Sequence, residues 1–140
     1  MAAKLYCKNS ECGINIVVNL PLYNLAYVNK SMSNILELIQ KQLLSWPYVT
    51  AESHRFGGIE FRLNKREMGH IHGDRLVDLP FPMNIRNELV NSGRASPHHV
   101  LPQSGWVSYW INKGEDDVPA VVELFRMRYE QLKPKSQSSK

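Results

Sequence analysis

The segment Arg66-Glu67-Met68-Gly69-His70-Ile71-His72-Gly73-Asp74 carries the densest set of side chains capable of chemistry. In an extended strand alternate side chains share a face, so Met68, His70 and His72 are expected together, with Glu67, Gly69 and Ile71 opposite. Two neighbouring imidazoles can accept and donate protons or stabilise an enolate-like anion. Glu67 would orient them if it reached their side; on strict alternation it pairs with Arg62 or Arg66 instead. If the strand persists past Gly73, Asp74 joins the histidine face and makes a His-x-His-x-Asp set. Such a set suits a borderline divalent metal such as zinc or iron, although a catalytic centre also needs an open position. No cofactor is expected; if a metal is held, its ligands are His70, His72 and Asp74.

A second cluster, Pro97-His98-His99, precedes a strand and reads as a loop. Loops at the rim of a sheet present side chains to clefts, so His98 is expected to face the His70 and His72 row as a third catalytic imidazole, with His99 among the binding residues. Arg55, in His54-Arg55-Phe56-Gly57-Gly58, is a candidate contact for an anionic ligand, and Arg66 is a further binding candidate. The paired glycines mark a tight turn, since the Lys and Ser or Thr of a phosphate loop are missing. Trp106, in Trp106-Val107-Ser108-Tyr109-Trp110, is a candidate aromatic wall. Ser104 has no nucleophile elbow around it, and nothing near Cys7 or Cys12 is arranged to lower a thiol pKa.

The elements that must position these residues follow from periodicity. Asn34 with Glu37 resembles a capping box, and Ile35, Leu36, Ile39, Leu43 and Trp46 follow helical spacing up to Pro47, giving a helix over about 34–46. From Gly57 the period changes to two, with Ile59, Phe61 and Leu63 on one face. Asn64-Lys65 turns the chain, Arg66 to His72 returns antiparallel, and Leu76 to Leu79 forms a third extended segment. Pro82 opens a second helix that Gly93 closes, and 94–105 reads as loop. Trp106 to Ile111 is a strand, and Asp116 or Asp117 caps a last helix through Tyr129. This order predicts an α+β fold, a small antiparallel sheet covered on one face by about three helices. Residues 1–30 read as an arm of uncertain structure, 31–133 as one domain and 134–140 as a polar, disordered tail.

With 140 residues, 43% hydrophobic and 21% charged, the chain has the make-up of a single globular domain. The +4 charge is dispersed, without the basic stripe and exposed aromatics of a nucleic-acid binder. The apolar run 14–28 is broken by Asn19, Pro21 and Asn24, too polar for a membrane span. Two cysteines complete neither a zinc site nor a disulfide framework, so free thiols in a cytoplasmic protein are expected. The expected partner is a small molecule, with no nucleic acid and no membrane; the oligomeric state is not legible.

The run from His54 to Phe61, then Arg66 to Asp74, Pro97-His98-His99 and Gly105-Trp106-Val107-Ser108 resembles the luciferase-domain family, over roughly 46–130. That family includes fungal luciferase, and Arg66-Glu67, His70, His72, His98 and Trp106 fall on similar positions in similar order. The resemblance implies a shared small-molecule pocket and an oxidoreductase, oxygenase-like chemistry in which a hydroxylated α-pyrone meets molecular oxygen without an added organic cofactor. The element order is also similar to helix-and-sheet domains of the YjbR type, which implies a non-catalytic ligand-binding or interaction domain. A histidine-based metalloenzyme is the remaining alternative.

Overall fold

The computed structural model describes residues 7–8, 11–12 and 35–134. The extended segment read at 14–18, the capping residue Asn34 and the tail from 135 lie outside the described residues. Two short strands, β1 (Cys7–Lys8) and β2 (Glu11–Cys12), pair antiparallel and set Cys7 opposite Cys12.

Helix α1 is described over 35–44. It places Ile35, Ile39 and Leu43, one turn or so apart, in the core. Pro47 follows three residues after it, and β3 (Val49–Ser53) begins at once. This strand was absent from the sequence reading because only Val49 is buried and the other four side chains are exposed, which leaves no alternation to see. Strands β4 (Ile59–Leu63), β5 (Arg66–His72) and β6 (Leu76–Pro80) follow as hairpins. Helix α2 (Met83–Asn91) ends before Gly93, β7 (Ser96–Pro97) interrupts the expected loop, and β8 (Trp106–Trp110) leads through a 3-10 turn (Gly114–Asp117) into α3 (Val118–Leu132).

The main sheet is open and antiparallel throughout, in the order β3-β4-β5-β6-β8-β7. With the three helices it makes the α+β fold that the sequence predicted. The core lies between the sheet and α3, where Phe61, Met68, Ile71, Val77, Leu79 and Val107 meet Val121, Leu124 and Phe125. Phe61 and Phe125 pack edge to face at 5.3 Å. Trp46 joins α1 to α3 through Tyr129 at 5.3 Å, with Arg126 over its ring at 3.8 Å.

Asp117 does not cap α3 with its side chain. Its carboxylate turns back to accept the N–H groups of Asn112 (2.8 Å) and Lys113 (2.7 Å) and the Tyr109 hydroxyl (2.7 Å). It is buried because it satisfies the end of β8, and Pro119 within the first turn of α3 lacks an N–H to cap.

Candidate functional site: a histidine and carboxylate cleft

The register of the sheet builds the site. Glu60 stands opposite His70, His70 opposite Asp78, Asp78 opposite Ser108, and Ser108 opposite Ser96. Directly opposed residues project from the same face, so a polar row crosses five strands on the side away from α3. The intervening residues Ile71, Val77, Leu79 and Val107 point into the core.

Strict alternation fails at one place in β5. Arg62 pairs with Glu67 and Phe61 with Gly69, which leaves Met68 as the extra residue of a β-bulge. Met68 and Gly69 both lie on the core side, and Glu67 and His70 both lie on the polar side. Met68 is therefore fully buried in the core instead of sharing a face with His70 and His72, as alternation had placed it. The bulge instead delivers Glu67 to His70, with Oε1 2.8 Å from Nδ1. Gly69 has φ +152°, and a Cβ there would stand 2.7 Å from the Asp78 carbonyl oxygen and 3.2 Å from the Phe125 ring. Only glycine lets β5 bulge while packed so closely on β6 and α3.

All five histidines of the chain line one cavity of about 400 Å³. At its floor is Asp78, inaccessible to solvent, from the otherwise apolar run Leu76-Val77-Asp78-Leu79. Its Oδ1 accepts the Ser108 hydroxyl at 2.5 Å. Among the described residues its Oδ2 is buried with no hydrogen-bond partner, yet three imidazole Nε2 atoms surround it: His72 at 3.4 Å, His70 at 3.6 Å and His98 at 3.6 Å. His99 Nδ1 lies 3.6 Å from Oδ1. His54 stacks on His70, ring centroids 3.9 Å apart and nearly parallel at 13°.

Two segments bring in the histidines from outside β5. The turn before β4 is closed by His54 N–H to the Gly58 carbonyl at 3.1 Å. Gly58 (φ +86°) passes so close to β5 that a Cβ would lie 2.1 Å from the Ile71 carbonyl oxygen. On the other side, pairing of Ser96 and Pro97 with Ser108 and Val107 anchors the loop. The His98 ring is fixed because its Nδ1 accepts the N–H groups of Val100 (3.2 Å) and Leu101 (3.0 Å). A neutral His98 must then carry its proton on Nε2, the nitrogen facing Asp78.

Electrostatics divides these groups. Burial opposes a charge on His70, but the Asp78 and Glu67 carboxylates outweigh it and lift its pKa to about 9. Glu67 is held below the usual carboxylate range, chiefly by its hydrogen bond with His70. Burial would raise Asp78, yet His70, Ser108 and the nearby histidines lower it. His72 and His98 are lowered, first by burial, and for His72 next by the charge on His70. His70 is thus favoured as an imidazolium between two carboxylates, with His72 and His98 less basic than it.

Of the residues singled out in the sequence, His70, His72, His98, His99, Glu67, Arg55 and Trp106 line the cavity. Arg55 lies over the Phe56 ring at 4.7 Å. Trp106 packs against His70 (5.3 Å) and His98 (5.9 Å). Asp74 and Arg66 are not brought to it. β5 ends at His72, Gly73 turns the chain, and Asp74 faces Arg75 at 3.9 Å, so the expected His-x-His-x-Asp face does not form. Arg66 is exposed beside the hairpin turn. The sequence reading missed His54 as a site residue and missed Asp78 altogether. The signal for Asp78 was present: a lone carboxylate in a strand of buried aliphatics needs a partner or a purpose.

One-ligand-atom groups within 4.8 Å of one another are formed by His54, His70 and His72, by Asp78, His98 and His99, and by His54, Glu60 and Glu67. No helix among the described residues is long and apolar enough to cross a membrane.

The fold and site define an α+β domain with a histidine and carboxylate cleft on the exposed face of its sheet. The luciferase-domain family model matches residues 65–128, so the family resemblance is borne out over β5 to most of α3, including His70, His72, Asp78, His98, His99 and Trp106. His54 and Arg55 precede the matched stretch. No curated protein and no solved structure matches the chain.

Proposed function

We propose that the cleft binds a small organic molecule bearing an acidic hydroxyl and acts on it in an oxygenase-like reaction. The observation that carries this reading is the convergence of five imidazoles, Asp78 and Glu67 on one cavity of about 400 Å³, a size suited to a small ligand. Its mouth is apolar, with Phe56, Val100 and Leu101 exposed at the rim. Polar groups at the floor and apolar groups at the rim favour a ligand with a polar head and a flat or apolar remainder.

In this reading the head group lies at the histidines and the remainder packs on Trp106 and the rim. His98, oriented by two backbone N–H groups, presents Nε2–H to a developing oxyanion. The substrate hydroxyl gives its proton to an imidazole of the cluster, and the anion's carbon supplies an electron pair to dioxygen, forming a carbon–oxygen bond at the expense of the O–O π bond; the resulting peroxide anion takes the proton back from the imidazolium. The substrate is the two-electron reductant and dioxygen the oxidant, so no separate reductant is needed. The oxygen chemistry comes from the family resemblance and the proton handling from the residues; the substrate is the part that fold does not carry.

The test is binding and turnover of a set of hydroxylated α-pyrones and related enols. Quenching of tryptophan fluorescence by Trp106 contact is expected to saturate, and an oxygen electrode is expected to record uptake matching product formed. His98→Ala should lower turnover on the order of 100-fold with the fold intact, as for loss of one oxyanion donor. Failure of every enol to quench or to consume oxygen would end this reading.

A further inference from the structure

We infer that the floor of the cleft is a site for a divalent first-row transition metal, held by His70 Nε2, His72 Nε2 and Asp78 Oδ2. The first observation is the orphaned oxygen. Asp78 is fully buried, its Oδ1 is bonded to Ser108, and its Oδ2 has no hydrogen-bond partner among the described residues although nitrogen donors surround it. A buried carboxylate oxygen left without a partner is costly, and a cation removes that cost.

The second observation is the spacing. His72 and His70 Nε2 stand 3.4 and 3.6 Å from Oδ2. These separations are longer than the roughly 2.7–3.2 Å of good hydrogen bonds. They are close to the roughly 3.0–3.4 Å expected between co-ligands when metal–ligand bonds are about 2.0–2.2 Å. The His70 and His72 rings are almost perpendicular, at 85°, so their planes intersect and one ion can lie in both.

His54 and His98 are excluded by their geometry, and His99 approaches the other carboxylate oxygen, its Nδ1 3.6 Å from Oδ1. A ligated metal sits in the plane of its imidazole, and the His54 ring is stacked nearly parallel on His70, so the two rings offer no shared position. His98 uses Nδ1 to accept two backbone N–H groups, which leaves Nε2 protonated and without a lone pair for a metal. His70 differs in that Glu67 accepts from its Nδ1, so metal binding releases the Nε2 proton and that nitrogen takes the ion, the carboxylate–histidine–metal relay that orients ligating imidazoles elsewhere. Two histidines and one carboxylate leave open coordination positions, the donor set suited to iron(II) in oxygen chemistry and to zinc in hydrolysis.

The assignment replaces Asp74 of the sequence motif with Asp78 across the neighbouring strand. It stands apart from the organic-ligand reading, because it is tested with metal alone. Untagged protein, stripped with chelator, is titrated with zinc(II) and cobalt(II) by calorimetry, and the cobalt complex is read by its visible spectrum.

Expected is one equivalent bound with a Kd below about 10 µM, and a cobalt spectrum free of thiolate charge transfer. His72→Ala and Asp78→Asn should weaken binding at least about 100-fold, and Glu67→Gln about 10-fold. His98→Gln and His54→Ala should stay within about threefold of the parent. Circular dichroism and melting establish that each variant is folded; if Asp78→Asn fails to fold, the half-buried His72→Ala decides. Substoichiometric or thiolate-bound metal, binding that survives His72→Ala, or equal loss in His98→Gln would overturn the assignment.

Discussion

Asp78 organises the cleft, and its surroundings set what single substitutions will do. Among the described residues the Ser108 hydroxyl is its one hydrogen-bond donor, from a side chain as buried as its own. Ser108→Ala leaves that carboxylate oxygen without a donor in a site that water does not reach. A loss of about 2 kcal/mol in urea-unfolding stability is expected. His98 makes a prediction of a different kind. Because its Nδ1 accepts from Val100 and Leu101, nitrogen-15 spectra of the ring should show Nδ1 unprotonated and Nε2 protonated near neutral pH. The reverse tautomer would remove it as a donor into the cavity. At this scale the sequence was informative about identity and poor about partnership. His70, His72, His98 and Trp106 were named from their types and spacing, whereas Asp74 was named as the carboxylate because it is near in sequence, and nearness along a strand says nothing about what the next strand brings alongside.

The bulge in β5 is the element on which the site depends. It turns Glu67 toward His70 and sends Met68 into the core, and Gly69 is the residue that makes room for it. Gly69→Ala would press a methyl group against the Asp78 carbonyl and Phe125 at a backbone angle side chains rarely adopt. Destabilisation of about 3 kcal/mol or more is expected, together with loss of the Glu67–His70 contact, visible in the His70 ring shifts. The end of β8 depends on Asp117 in a comparable way. Its carboxyl is held below the usual range, against burial, by the Lys113 and Asn112 N–H groups and the Tyr109 hydroxyl. A group whose folded pKa is depressed stabilises the fold above its unfolded value, near 4, and that contribution fades as pH falls through the folded value. Asp117→Asn should therefore cost about 2 kcal/mol at pH 7, with parent and variant converging toward pH 2 in pH-dependent denaturation. Helix α2, strand β4 and strand β8 were readable because their apolar periods are clean. The bulge, the exposed strand β3 and the two-residue β7 were not, since each is fixed by pairing with a neighbour and not by any local pattern.

At the scale of the whole molecule, the same strands carry the cleft on one face and the core on the other. Phe125 of α3 fills the layer beneath the sheet, touching Phe61 and closing on Gly69. Phe125→Ala is expected to cost about 4 kcal/mol by urea unfolding. Because core and cleft share strands, tryptophan fluorescence and far-ultraviolet circular dichroism should report coincident transitions; separated midpoints would mean the cleft loop unfolds on its own. The sequence by itself determined the α+β class, most of the elements and the residues from which a histidine site would be made, because periodicity and composition are local properties of the chain. The tertiary structure alone decided that His54 and His98 line one cavity with His70 and His72, that Glu67 crosses to the histidine side, and that Asp78, not Asp74, lies among the imidazoles. Those facts follow from strand register and one unpaired residue in a ladder, and register is settled by packing between segments distant in sequence.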